Sequence, residues 1–113
     1  MSGITTHVLD TARGRPAGGI HVTLERVHDA RASPVGRGFT DADGRLRTLV
    51  PEGREIERGT YRLTFDTGSY FRGQGLGSFY PSVSILFEIT DTGQHYHVPL
   101  LLSPFGYSTY RGS

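Results

Sequence analysis

Five histidines stand in this chain of 113 residues, and two of them form His95-Tyr96-His97. Imidazole titrates near neutral pH, so it serves as general base, proton shuttle or metal ligand. On a strand, residues two apart share a face, so both rings would project the same way. A third imidazole, His7 or His21, would complete a three-nitrogen zinc site. The plainer reading is two strand histidines on a polar face, because no carboxylate is placed nearby in sequence. Arg45 closes the turn Asp41-Ala42-Asp43-Gly44-Arg45. That turn resembles a fragment of a calcium loop, with Glu52 at the spacing of the last ligand, but the intervening pattern and the flanking helices are missing. Tyr110-Arg111-Gly112-Ser113 combines a stacking ring, a forked cation, a hydroxyl and a free carboxylate. A chain end usually frays, so this is an odd composition for a tail without a task.

Composition removes other chemistry. There is no cysteine, hence no disulfide framework, thiolate metal site or Cys nucleophile. All twelve basic residues are Arg, so no lysine Schiff base can form. Net charge is +1 with both signs interspersed, which argues against nucleic acid as a partner. No apolar run approaches the ~18 residues of a membrane span. The first thirty residues show no basic-then-apolar leader, so a cytoplasmic location is expected. The length suits a single domain over residues 1–113.

The elements that must position these residues are strands. Val, Ile, Thr, Phe and Tyr number 36 against 23 for Ala, Leu, Met, Glu and Gln, which with sixteen Gly favours strands and tight turns. Apolar and polar residues alternate in Ile20–Glu25, in Tyr61–Asp66 and in Val83–Ile89. Ile4–Asp10 is a more polar fourth run, and two further strands are expected near 35–40 and 45–50. Thr90-Asp91-Thr92-Gly93 lies between two strong strands and reads as a hairpin turn. A short helix fits the start of residues 68–79, where Tyr70, Phe71 and Gln74 are suitably spaced. Gly73, Gly75 and Gly77 would each cost it about 1 kcal/mol. The pattern is that of an all-β sandwich or barrel.

Tyr96-His97-Val98-Pro99-Leu100-Leu101-Leu102-Ser103-Pro104, followed by Tyr107-Ser108-Thr109-Tyr110-Arg111-Gly112-Ser113, resembles the C-terminal signature of the 5-hydroxyisourate hydrolases, the transthyretin-like family of urate breakdown. Thr6-His7-Val8-Leu9-Asp10, with Gly14 and Pro16-Ala17 after it, is similar to that family's opening motif. Thr40–Arg45 resembles its central turn, and Tyr70-Phe71 with Phe79-Tyr80-Pro81 its helix and next strand. Asp41 departs from the Asn often found there, and the glycines at 73, 75 and 77 are unusual. The resemblance implies a transthyretin-type sandwich of two antiparallel sheets with one short helix. It also implies a homotetramer built as a dimer of dimers, with active sites in clefts where dimers meet.

Carried over residue by residue, the resemblance implies catalytic roles for His7, Arg45, His97 and Ser113. It implies substrate contacts for Tyr110 and Arg111, and leaves His95 as the bystander of its pair. The implied reaction is hydrolysis of the lactam of 5-hydroxyisourate on the way to allantoin, with a small-molecule substrate, no metal and no cofactor. Such a hydrolysis needs an activated water, a charge to hold the carbonyl oxygen and a means of orienting a planar ligand. Histidine suits the first and arginine the second. Ser113 would position water or a ring N–H, and Tyr110 and Arg111 would orient the ring or hold the tail. Two rivals are a transthyretin-like carrier without catalysis and a β-sandwich adhesion or carbohydrate module. The carrier is disfavoured because His7, His97 and the terminal motif match the enzyme branch and the chain has no lysine.

Overall fold

A computed structural model describes residues 3–113. The chain runs β1 (Gly3–Asp10), β2 (Arg15–Pro16), β3 (His21–His28), β4 (Arg31–Phe39), β5 (Arg45–Leu46), β6 (Gly59–Phe65), α1 (Thr67–Arg72), β7 (Val83–Ile89), β8 (His95–Ser103) and β9 (Gly106–Thr109). The strands form two sheets. One has the order β2-β1-β8-β9, with β5 also paired to β1; the other has the order β4-β3-β6-β7. This is the expected sandwich, and all pairings are antiparallel except one. β1 and β8 run parallel, Thr5 beside His97 and His7 beside Pro99.

Alternation explains the layers. Along β1 every second residue is buried, so Ile4 and Val8 enter the core while Thr5 and His7 face out. Val98, Leu100 and Leu102 of β8 do the same, leaving His95 and His97 on the outer side. Val22 and Leu24 of β3 and Leu63 and Phe65 of β6 meet them from the second sheet. Each such fully buried side chain contributes about 1.5–3 kcal/mol. A slip of one residue would turn that whole set toward water, so burial holds the register.

Two expectations change in the structure. Thr90-Asp91-Thr92-Gly93 is not a hairpin turn. It carries the chain from β7 in one sheet to β8 in the other. The buried Tyr96 ring pins this crossing: its hydroxyl accepts from Asp91 N at 3.0 Å and Thr90 N at 3.2 Å and donates to Asp91 O at 3.1 Å. Two neighbouring strands with one apolar face each can bury them by pairing or by facing one another, and local sequence does not choose between these. The strand expected at 45–50 pairs only over Arg45–Leu46, after which Leu49 turns into the core. The helix, as expected, spans only the start of its segment. Asp66 caps it by accepting from Ser69 N at 3.2 Å, and it stops before Gly73.

The helix is tied to the first sheet by Asp10, a carboxylate only 1% exposed. Asp10 Oδ2 accepts from the Tyr70 hydroxyl at 2.7 Å, and Oδ1 accepts from Ala12 N and Arg13 N. A buried carboxylate is tolerated when its oxygens are satisfied in this way. Burial, then the hydrogen bond to Asp10, pushes the Tyr70 hydroxyl above the ordinary tyrosine pKa.

Candidate active site

The outer face of the first sheet gathers the reactive side chains. β1 supplies Thr5 and His7, β8 supplies His95 and His97, and the turn before β5 delivers Arg45 beside His7. That turn is built on Asp41. Its Oδ1 accepts from Asp43 N at 2.9 Å and from Arg45 N at 3.0 Å. The bond from Arg45 N is the leading reason its carboxyl pKa lies below the ordinary value. Gly44 sits at φ 75°, where its carbonyl accepts from Val8 N at 2.7 Å. A side chain there would meet both strain and the backbone of Val8.

A cavity of about 240 Å³ opens on this face, lined by Thr5, Arg45, Arg47, His95, His97 and Ser113, with Thr6 at its floor. It therefore brings together Arg45, His97 and Ser113. His7 lies beside it, its Nε2–H donating to Asp43 O at 2.9 Å. A carbonyl only accepts, so Nε2 carries a proton, and in the neutral ring Nδ1 keeps a lone pair. His97 is half-buried. Burial, then the charges of Arg45, His7 and His95, hold its pKa below the ordinary histidine value. It is thus a neutral imidazole at pH 7 and able to accept a proton.

The tail reaches this cavity by a detour. β9 pairs with β8 from Ser103 to Leu100 and then departs, because Pro99 has no N–H to continue the ladder. The chain returns at Gly112, whose N–H donates to His97 O at 2.8 Å. A methyl group at Gly112 would lie 2.5 Å from His97 Cδ2 and 3.2 Å from Pro99 Cγ, so only glycine lets the tail lie against the ring. Ser113 then falls in the cavity. Tyr110 and Arg111, on the detour, do not line it. They line a separate cavity of about 270 Å³ with Tyr96 and Thr109, and His97 lies between the two. Arg111 sits over the Tyr96 ring at 4.5 Å and donates to Gln94 Oε1 at 2.8 Å. These contacts make it an anchor for the tail.

Sequence alone assigns no role to Thr5, Arg47 or Gly112 and leaves His95 as the bystander of its pair. His95 lines the same cavity as His97, and Thr5 Oγ1 lies 2.8 Å from both His95 Nε2 and His97 Nδ1. Both nitrogens thus point at a hydroxyl oxygen. Among the described residues no three His, Asp or Glu side chains are grouped to hold a metal ion. The signal for Thr5 was in the sequence, two residues before His7 on an alternating strand, but its partner strand was not.

Two antiparallel-type sheets, one short helix and this array of imidazole and guanidinium groups define a transthyretin-type fold carrying a hydrolytic type of site. Residues 4–112 match the HIUase/Transthyretin family, and the chain belongs to it. It is 46% identical over 110 residues to a 5-hydroxyisourate hydrolase of Salmonella dublin, across 97% of this chain and 80% of that one. The solved 5-hydroxyisourate hydrolase of Klebsiella pneumoniae is 37% identical, with a TM-score of 0.84 over 100% of this chain and 94% of that one. Sea bream transthyretin in complex with thyroxine is 31% identical, with a TM-score of 0.89 over 97% and 94% of the two chains.

Proposed function

We propose that this protein is a hydrolase that opens the lactam ring of 5-hydroxyisourate. The observation that carries the reading is the cavity in which a neutral His97, Arg45 and Ser113 converge. The named activity of the relatives at 46% identity supports it over the carrier function. In this scheme His97 takes a proton from water as the water oxygen attacks the ring carbonyl. Arg45 holds the negative charge that develops on the carbonyl oxygen. The C–N bond then breaks and the ring nitrogen takes the proton that His97 received from the water. His7, with its free Nδ1, serves as the second proton carrier. The Ser113 hydroxyl positions water or a ring N–H, and Tyr110 and Arg111 keep the tail in place. No metal or cofactor enters the scheme.

The test is direct. Freshly made uricase product is added to the protein and its ultraviolet absorbance followed. Decay much faster than the spontaneous rate is expected, and decay at the spontaneous rate overturns the reading.

The same reading extends to assembly, as a homotetramer built as a dimer of dimers. Its support is the unpaired outer edges of β7 and β9 and the exposed Phe79, Phe105, Tyr107 and Tyr110 near them. Light scattering should report about four times 12.4 kDa, and a fully active monomer would exclude a site that depends on dimer contacts. No helix among the described residues is long and apolar enough to cross a membrane. A cytoplasmic location is the proposal consistent with a small-molecule substrate, and fractionation of the source cells tests it.

A further inference from the structure

Thr5 Oγ1 lies 2.8 Å from His95 Nε2 and 2.8 Å from His97 Nδ1. A hydroxyl has one proton to donate and lone pairs that accept. It can donate to one of these rings only, and the two rings are its only hydrogen-bond partners among the described residues, so using its proton within the cluster requires one ring to accept and the other to donate. With the hydroxyl proton used in this way, the tautomers of the two histidines are linked in opposition. In one arrangement His97 carries its proton on Nδ1 and donates to Thr5, while the Thr5 O–H donates to His95 Nε2. His97 Nε2 is then a lone pair. In the other, Thr5 donates to His97 Nδ1, and His97 carries its proton on Nε2, where it can take none from water.

The surroundings choose between the two. Arg45 and Arg47 line the cavity with His97, and guanidinium groups are donors only. A lone pair facing them is favoured and an N–H is opposed. At the other end His95 is exposed, with Nδ1 near Gly3 where β1 and β8 begin, and water can accept its proton there. We propose that Thr5 and His95 are positioning residues that hold His97 in the tautomer with Nδ1 protonated and Nε2 open to the cavity. The proposal rests on the reading of His97 as the base, and it gives His95 a task.

Two-bond proton–nitrogen correlation spectra of the labelled protein read imidazole tautomers without substrate, with His97→Ala identifying the His97 signals. His97 is expected with its proton on Nδ1 in the native protein and shifted toward Nε2 in Thr5→Val. Thr5→Val should lower kcat by at least about tenfold with little change in KM, on the smaller side of what a wrong imidazole tautomer costs a hydrolase. Thr5→Ser should recover most of that loss. His95→Phe, at an exposed position, should act like Thr5→Val, and His95→Gln should recover part because its amide oxygen accepts the Thr5 proton. If Thr5→Val does not fold, His95→Phe decides. A native His97 with its proton on Nε2 overturns the proposal, as does native kcat in Thr5→Val or His95→Phe. Absence of hydrolysis by the native protein would instead overturn the functional reading, leaving the spectra to decide the tautomer.

Discussion

The two outer faces of the sandwich are built on the same alternation and treat charge in opposite ways. On the four-stranded sheet, Arg62 of β6 meets Glu25 of β3 at 2.9 Å. Thr64 and Ser84 share a hydrogen bond across β6 and β7. These polar groups satisfy one another. On the five-stranded sheet, among the described residues, no Asp or Glu side chain pairs with Arg45, His7, His95 or His97. Arg47 reaches Asp41 only at 4.0 Å. A face whose cations and imidazoles lack acidic partners keeps its donors and bases for a ligand, and this is how a site differs from a surface.

That contrast can be broken most sharply at the histidines. Loss of a general base typically forfeits about 10²–10⁴-fold in rate. His97→Ala and His7→Ala should each collapse turnover by that order, measured as decay of 5-hydroxyisourate absorbance. Arg62→Ala on the paired face and His28→Ala should leave it near native. Turnover within a few-fold of native in a folded His97→Ala protein would dissolve the distinction between the faces.

The next effect is at the tail. Deletion of residues 110–113, or Gly112→Ala, should lower kcat by about tenfold or more, since misplacing a positioned group by about 1 Å can cost 10²-fold. The thermal midpoint should hardly move, because the core strands lie upstream. The measurement is melting and turnover side by side for both variants. Normal melting with native turnover would remove Ser113 from the site.

A pH profile sharpens the comparison further. Burial and the neighbouring positive charge lower the His97 pKa in the folded protein. The neutral base therefore persists below the ordinary histidine value of about 6.5, and the acid limb of kcat should fall only under that pH. The linked effect on stability has the same origin. As pH falls below the unfolded pKa, the unfolded chain binds a proton that folded His97 still refuses, and stability declines until pH passes the folded pKa. An acid limb centred above 6.5 would assign it to another group.

The smallest effects concern stability alone. Tyr70→Phe leaves one oxygen of the buried Asp10 without its donor and should cost about 1–3 kcal/mol, read from denaturant melts. Arg62→Ala breaks a partly exposed pair and should cost only about 0.2–1 kcal/mol. The reverse order would mean that the paired face, and not the buried carboxylate, carries the stability.

The sequence by itself determined the strands, because alternation is a local property. Val22 and Leu24 against His21, Thr23 and Glu25 already separate the inner side of β3 from the outer. It also determined that His95 and His97 share a face and that Asp41–Arg45 is a turn, since Asp and Gly have local backbone preferences. The family motifs marked His7, Arg45, His97 and the tail. Only the tertiary structure decided which strands are neighbours. Alternation states which side of a strand is buried and nothing about its partner, so Thr90–Gly93 read as a hairpin turn while the chain crosses between sheets. The parallel pairing of β1 with β8 joins residues about ninety positions apart. It places Thr5 between His95 and His97. It also let the tail return at Gly112, setting Ser113 in the cavity and Arg111 outside it. Register across distant strands follows from how two apolar faces close on each other, and that requires the whole chain.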